Sequence, residues 1–156
     1  MIRLNLGSGS QPLPGFINLD ANTHDSIFPL EYSAESVYEI RASHVLEHFG
    51  TREALDALRE WTRVLRPGGV LKIAVPDFSI LAQGFVNGKN DKSWLEAYIM
   101  GGQADEYDYH KSIWHAEKLC TILSVLGYKD LERWESEVTD CASYQLSLNV
   151  KGTKSE

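Results

Sequence analysis

The chain has 156 residues, of which 43% are hydrophobic and 10% aromatic, enough to bury a core and to set aside a wholly disordered chain. Its 15 Lys and Arg face 22 Asp and Glu, and the resulting charge of −7 argues against a dedicated nucleic-acid binder, which needs a basic face to displace counterions from phosphates. Two cysteines, Cys120 and Cys141, can make neither a disulfide framework nor a four-thiolate zinc site. No apolar run approaches the ~18 residues of a membrane span, and no charged-then-apolar signal segment opens the chain. The expectation is one domain over residues 1–156, soluble and cytoplasmic, with no membrane partner.

Residues 2–6 alternate apolar and polar and run into Gly7-Ser8-Gly9-Ser10, the pattern of a strand entering a tight glycine turn. A short strand over 16–19 ends on Asp20, and the polar stretch 22–36, with Pro29 inside it, reads as loop. A third strand, 37–43, leads into His44-Val45-Leu46-Glu47-His48-Phe49-Gly50. Thr51 is placed to cap a helix with Glu53 in its first turn, where the helix dipole favours an anion. Leu55, Leu58, Trp61 and Leu65 recur at helical spacing until Arg66-Pro67-Gly68-Gly69 stops the helix. A fourth strand spans 70–75, and shorter helical pieces are expected over 80–85 and 93–100. Leu119, Ile122, Leu123 and Leu126 form a helical stripe closed by Gly127, and strands near 131–134 and 144–151 finish the chain. This alternation of strands and helices predicts a mainly parallel α/β sheet.

One face of that sheet carries the wrong residues for a helix to cover. Ile2, Leu4 and Leu6 share a face, and so do Leu71, Ile73 and Val75, whereas the opposite face shows Arg3, Asn5, Glu39, Arg41 and Lys72. A parallel strand buried on both sides reads as nearly continuous apolar residues, so the helices are expected mostly on one face. The polar face is then solvated or turned toward a partner, with a loop or the 93–100 helix across it as the alternative. Trp61, Val64 and the bare face are candidate surfaces for a homodimer.

A glycine turn after the first strand presents backbone N–H groups to an anion, and an acidic residue ending the next strand can accept both hydroxyls of a ribose. Gly7, Gly9 and Asp20 fit those roles. In the region 79–116, Phe85, Trp94, Tyr98, Tyr107, Tyr109 and Trp114 either form an aromatic lid or fill an irregular core, with His110 a candidate general base. His44-Val45-Leu46-Glu47-His48 matches the inverted zinc-protease pattern H-x-x-E-H, but it follows a strand and meets Gly50 before a long helix could form, so no metal ligand is assigned. A dinucleotide site is disfavoured because the third glycine is missing and Pro12 and Pro14 oppose the helix that should receive a pyrophosphate.

The string Leu4-Asn5-Leu6-Gly7-Ser8-Gly9, followed by Gly15-Phe16-Ile17-Asn18-Leu19-Asp20, resembles the first two motifs of class I S-adenosylmethionine-dependent methyltransferases, in a compact subgroup. Ala42-Ser43-His44-Val45-Leu46-Glu47-His48-Phe49 is similar to the family's fourth-strand motif, and the run from Leu58 through Arg66-Pro67-Gly68-Gly69 to Leu71 resembles its helix-then-strand signature. Tyr109-His110-Lys111-Ser112 and the helix after it resemble the approach to its sixth strand. The resemblance implies a Rossmann-like, mainly parallel sheet with an antiparallel last strand, here in reduced form. It implies that Leu6, Gly7, Ser8 and Gly9 hold the methionine part of S-adenosylmethionine and Asp20 its ribose. Asp25 would lie near the adenine, and Ser43 and His44 would flank the amino group and face the acceptor. The chain departs from the family pattern in carrying Asn5 where an acidic residue is usual and Gln11 where a third glycine would fall. The short segment after Asp20 also implies loss of the family's adjoining edge strand. The acceptor is expected to be a small molecule, such as a sugar or lipid intermediate, by elimination. The alternative is a degenerate methyltransferase-like interaction module without catalysis.

Overall fold

The structure is a computed structural model describing residues 1–88 and 92–156, with the side chains of residues 92–94, including Trp94, outside the described residues. Strands β1 (Ile2–Leu6), β2 (Ile17–Leu19), β3 (Val37–Ser43) and β4 (Leu65–Pro76) are mutually parallel, while β6 (Ser147–Lys154) lies antiparallel between β4 and β5 (Tyr128–Arg133). The sheet order is β2-β1-β3-β4-β6-β5. Among the described residues no strand pairs outside β2, as the short segment after Asp20 implies. That segment forms only a 3-10 turn, Ala21–Thr23, capped by the Asp20 carboxylate accepting from Asn22 N–H.

The apolar strand face packs on α1 (Thr51–Val64) and α4 (Ala116–Val125). Leu4, Leu6, Ile40, Ala42, Leu71, Ile73 and Val75 meet Leu58, Trp61, Leu119 and Leu123 in one core with no exposed surface on any of these side chains. Each fully buried leucine contributes about 1.5–3 kcal/mol relative to exposure. Trp61 and Val64 belong to this core, so neither is available as a dimer surface. The helix begins one residue earlier than the Thr51 cap implied: Gly50 is the cap, and the Glu53 carboxylate reaches back to its N–H at 3.4 Å. Arg66-Pro67-Gly68-Gly69 belongs to β4 as a wide bulge, since Val37 pairs with Leu65 and Glu39 next pairs with Val70.

Among the described residues the polar face carries no long helix, as the residue pattern required, but its upper half is not bare. The segment after β5 folds across it. Trp134 donates from its indole to Ile73 O at 3.1 Å and packs with Ala74 and Ala142, while Asp140 pairs with Arg41 and accepts from Ser43 Oγ at 2.9 Å. Asn5 completes the network, donating to Asn18 and accepting from Arg41 at 3.2 Å. Lower down, Glu39 is held between Arg3 at 2.7 Å and Lys72 at 2.8 Å. The alternating charges on β1, β3 and β4 therefore neutralise one another across the strands.

Beyond the C-terminal end of β4, α2 (Phe78–Val86) starts from the Asp77 carboxylate, which accepts from Ser79 N–H at 3.0 Å, and α3 (Lys92–Met100) packs against it. Tyr128–Arg133 and Ser147–Lys154 each sit about three residues from where the apolar pattern placed them. β5 is an edge strand whose Lys129, Asp130, Glu132 and Arg133 are exposed, so its sequence carries little apolar alternation.

Candidate functional site

The β1 chain turns sharply at Gly7, whose φ of +64° a side chain resists. A Cβ there would also stand well inside contact distance of Val45 Cγ2, so the turn and the segment after β3 lie back to back. Gly7 and Ser8 both donate their N–H groups to Leu19 O, at 2.8 and 3.2 Å, and Gly9 donates to Asp20 Oδ2 at 2.6 Å. The turn is thereby bound to the end of β2, and Asp20 is fixed with one oxygen on Gly9 and the other on Asn22.

A cleft of about 650 Å³ opens at these strand ends, a size common for small-molecule sites. Gly7, Asp20, Asp25, His44 and Val45 line it on one side. Ile27, Phe28 and Phe49 supply an apolar wall, with the two phenyl rings edge to face at 6.0 Å between centroids. α1 holds that wall in place, because Trp61 Nε1 donates to Ile27 O at 3.0 Å and Glu60 accepts from Leu30 N–H at 3.1 Å. Asp105, Tyr107, Asp108 and Lys111 form the facing lip. That lip is a folded loop: Asp108 accepts from Ala104 N–H and Gln103 N–H, and Gly101 passes so close to Asp108 O that no side chain fits. The cleft is acidic, with Asp20, Asp25, Glu53, Asp105 and Asp108 against the one lysine, Lys111.

Of the residues singled out in the sequence, Gly7, Asp20, Asp25 and His44 line the cleft. Asp25 spends its carboxylate on structure, accepting from Thr23 Oγ1 at 2.6 Å and Asp20 N–H at 3.1 Å, and these bonds hold its pKa below the ordinary carboxylate value. Leu6 is fully buried, and Ser8 and Gly9 are outside the cleft lining. Ser43 points to the polar face, where it bonds Asp140. His110 is also displaced from the cleft: its Nδ1 bonds Tyr98 O at 2.9 Å, and it lines a separate small hollow beside Ile113 and Trp114. Burial pushes the His110 imidazole below its usual pKa, with Glu47 partly opposing. As a general base it therefore lacks access to the cleft; His48, whose ring lies edge to face with it at 4.9 Å, is the imidazole on that side that lines it.

The expected aromatic lid divides. Tyr107 lines the cleft, Trp114 is a core residue, and Phe85 and Tyr109 are roughly half exposed away from it. Sequence reading missed Phe28 and Phe49 as cleft walls, although Ile27-Phe28-Pro29-Leu30 is an apolar run in an otherwise polar loop. It also passed over Glu47. This carboxylate is fully buried, 3.0 Å from His44 Nδ1, and His44 Nε2 in turn bonds Ser147 Oγ at 2.9 Å. Burial alone would raise the Glu47 pKa, but His44, with smaller contributions from His48 and His110, holds it below the usual value.

Strand order, the glycine turn and the cleft at the carboxyl ends of β1, β2 and β3 define a Rossmann-like methyltransferase fold. Residues 10–73 match the family model described as "Methyltransferase domain", a segment that includes Asp20, Asp25, Ser43, His44 and the Arg66-Pro67-Gly68-Gly69 bulge. No curated protein matches the sequence. Among solved structures, the chain is similar to a SAM-dependent methyltransferase from Methanosarcina mazei, with 13% identity, 98% of this chain and 92% of that chain covered, and a TM-score of 0.63. It is similar to another from Archaeoglobus fulgidus, with 14% identity, coverage of 97% and 85%, and a TM-score of 0.63. The CurJ carbon methyltransferase aligns over 99% of this chain at 14% identity and a TM-score of 0.60, and there the chain spans 49% of the other's length. The family model thus matches less than half of the chain, and the solved structures show that the whole chain shares the fold of S-adenosylmethionine-dependent methyltransferases.

Proposed function

We propose that the cleft binds S-adenosylmethionine and that the chain transfers its methyl group to a small-molecule acceptor. The observation that carries this reading is the charge of the cleft: five carboxylates, among them Asp20 fixed at the end of β2, face one lysine. Such a field attracts a ligand bearing a sulfonium and an ammonium and repels one bearing a pyrophosphate. The residues present fit that cofactor. Asp20 Oδ1 and Oδ2 each accept one backbone N–H and keep lone pairs for a ribose diol, and Ile27, Phe28 and Phe49 offer an apolar wall to a purine. When bound, the sulfonium supplies an electrophilic methyl group. The protein's part is to hold the acceptor in line with it and to exclude water, which the 101–111 loop is positioned to do from the facing lip. The same acidic lip, Asp105 and Asp108, favours an acceptor that is neutral or cationic over a phosphorylated one or a nucleic acid.

A second reading, an interaction module without catalysis, draws on one observation: the N–H groups of Gly7, Ser8 and Gly9 are all committed inside the protein. Calorimetric titration with S-adenosylmethionine and S-adenosylhomocysteine, beside an Asp20→Ala variant, decides between them. Micromolar binding lost in Asp20→Ala is the expected result. Absence of heat and of any melting shift at millimolar ligand would leave the interaction module standing.

A further inference from the structure

We infer that Glu47, His48 and His110 form a binding site for a divalent zinc-type cation, independent of the cofactor cleft's occupancy. The three residues come from separate places, the 3-10 turn Leu46–His48 and the loop after α3, and one ligand atom from each lies within 4.8 Å of the others. The backbone locks the two segments together, because Lys111 N–H and Ser112 N–H both donate to Glu47 O, at 2.8 and 3.2 Å.

The hydrogen bonding around the cluster leaves electron pairs facing one another. His110 Nδ1 is 2.9 Å from Tyr98 O and His48 Nδ1 is 3.2 Å from Tyr109 O. A carbonyl oxygen only accepts, so in each ring the Nδ1 carries the proton and the neutral ring presents a lone pair at Nε2. His110 Nε2 then stands 4.0 Å from Glu47 Oε1, acceptor against acceptor and too far for a hydrogen bond even if protonated. Glu47 itself is 1% exposed; His44 Nδ1 stands 3.0 Å from Oε1 at ion-pair distance but outside full hydrogen-bond geometry, and Oε2 has no partner among the described residues. A buried carboxylate in that condition calls for a cation.

Zinc suits the donor set. An imidazole that donates its other nitrogen to a backbone carbonyl is the usual form of a metal-bound histidine, since that bond fixes both tautomer and ring orientation. Zinc–nitrogen and zinc–oxygen distances near 2.0–2.2 Å put tetrahedral ligand atoms about 3.4 Å apart, so the 4.0 Å between His110 Nε2 and Glu47 Oε1 closes by about 0.6 Å, and separations of up to 4.8 Å within the cluster close by side-chain rotation of up to about 1.4 Å. Three protein ligands leave one position for water or another small oxygen ligand. This set differs from the H-x-x-E-H reading, in which His44 and His48 would ligate together: His44 has both nitrogens engaged, on Glu47 and on Ser147.

The test uses the full chain, freed of metal by a chelator and titrated calorimetrically with zinc sulfate. One zinc per chain with micromolar or tighter affinity is expected, with a rise in melting temperature and X-ray absorption showing two imidazoles and no sulfur. His48→Ala and His110→Gln should each weaken binding by more than about 100-fold, because loss even of an outer partner costs about 10–100-fold. Cys120→Ser, Cys141→Ser and His115→Ala should leave it unchanged. Should His110→Gln fail to fold, the half-buried His48→Ala decides alone. No zinc uptake, sulfur in the absorption spectrum, or affinity unchanged in His48→Ala would overturn the site.

Discussion

Replacing Gly7 by alanine tests how the glycine turn and the segment after β3 share space. Two costs add. The backbone at φ +64° disfavours a Cβ by about 1–2 kcal/mol. The added methyl would also overlap Val45 Cγ2, and overpacking of this kind costs about 1–3 kcal/mol. Gly7→Ala should therefore lose about 2–5 kcal/mol, which at about 2–4 °C per kcal/mol for a chain of this size lowers the melting temperature by roughly 4–20 °C. Val45→Ala alone removes two buried methyls and costs about 2 kcal/mol. In the double variant the nearest Val45 atom left is Cβ, 3.7 Å from the new methyl, an ordinary contact. The overlap then vanishes while the backbone strain stays, so the double variant should be about 1–3 kcal/mol more stable than the sum of the single losses. Urea unfolding of all four proteins, with m-values compared, measures this coupling. Strict additivity, or a Gly7→Ala protein within about 0.5 kcal/mol of the parent, would refute the packing argument.

Asp20→Asn removes the charge and keeps only one of the two backbone N–H bonds that its carboxylate accepts; losing charge-assisted bonds of about 1.5–3 kcal/mol should cut S-adenosylmethionine affinity roughly 10–150-fold in calorimetry, and unchanged affinity would remove Asp20 from the ribose site. Asp140→Ala leaves the 7%-exposed Arg41 side chain without its carboxylate and should cost about 3–5 kcal/mol in thermal or urea unfolding. Burial alone would raise the Asp140 pKa, but bonds from Arg41, Ser136 and Ser43 hold it below 3.8, so its contribution is present above that value and disappears as pH falls through the lower folded one. Acid titration of stability should thus be steeper in the parent than in Asp140→Ala, and equal slopes would count against the pair. Tyr128→Phe removes a buried hydroxyl 3.0 Å from Thr62 Oγ1, which keeps its bond to Leu58 O, so a loss of only about 0.5–1.5 kcal/mol is expected in urea unfolding; a larger one would show that Thr62 depends on Tyr128.

The structural neighbours share 13–14% of their residues with this chain, yet the pattern of β1, β3, α1 and β4 was legible in the sequence because local chemistry fixes each of them. The alternation over Val37–Ser43 predicts β3 to the residue, and Arg66-Pro67-Gly68-Gly69 cannot continue a helix, so α1 ends at Val64. The charged residues of β1, β3 and β4 likewise showed which sheet face the helices would leave. Gly7, Asp20, Asp25 and His44 all line the cleft; Gly7 and Asp20 stood out because a turn at a strand end favours glycine and the next strand ends on a carboxylate, whereas Asp25 and His44 followed only from the family resemblance.

Where a residue's role is set by what the rest of the chain lays against it, the sequence fell short. Trp61 and Val64 looked available and are core, since both lie on the α1 stripe that the sheet covers. The polar face looked bare, but Trp134 and Asp140 reach it from a segment that local patterning reads only as loop. His110 looked like a catalytic base, yet the bond from its Nδ1 to Tyr98 O turns it away from the cleft and toward Glu47. Sequence alone determined which backbone could form each element and which face of it was apolar, because those follow from the bonding and size of adjacent residues. Only the tertiary structure decided which side chains share the cleft and which confront a buried charge, because those contacts join residues far apart along the chain.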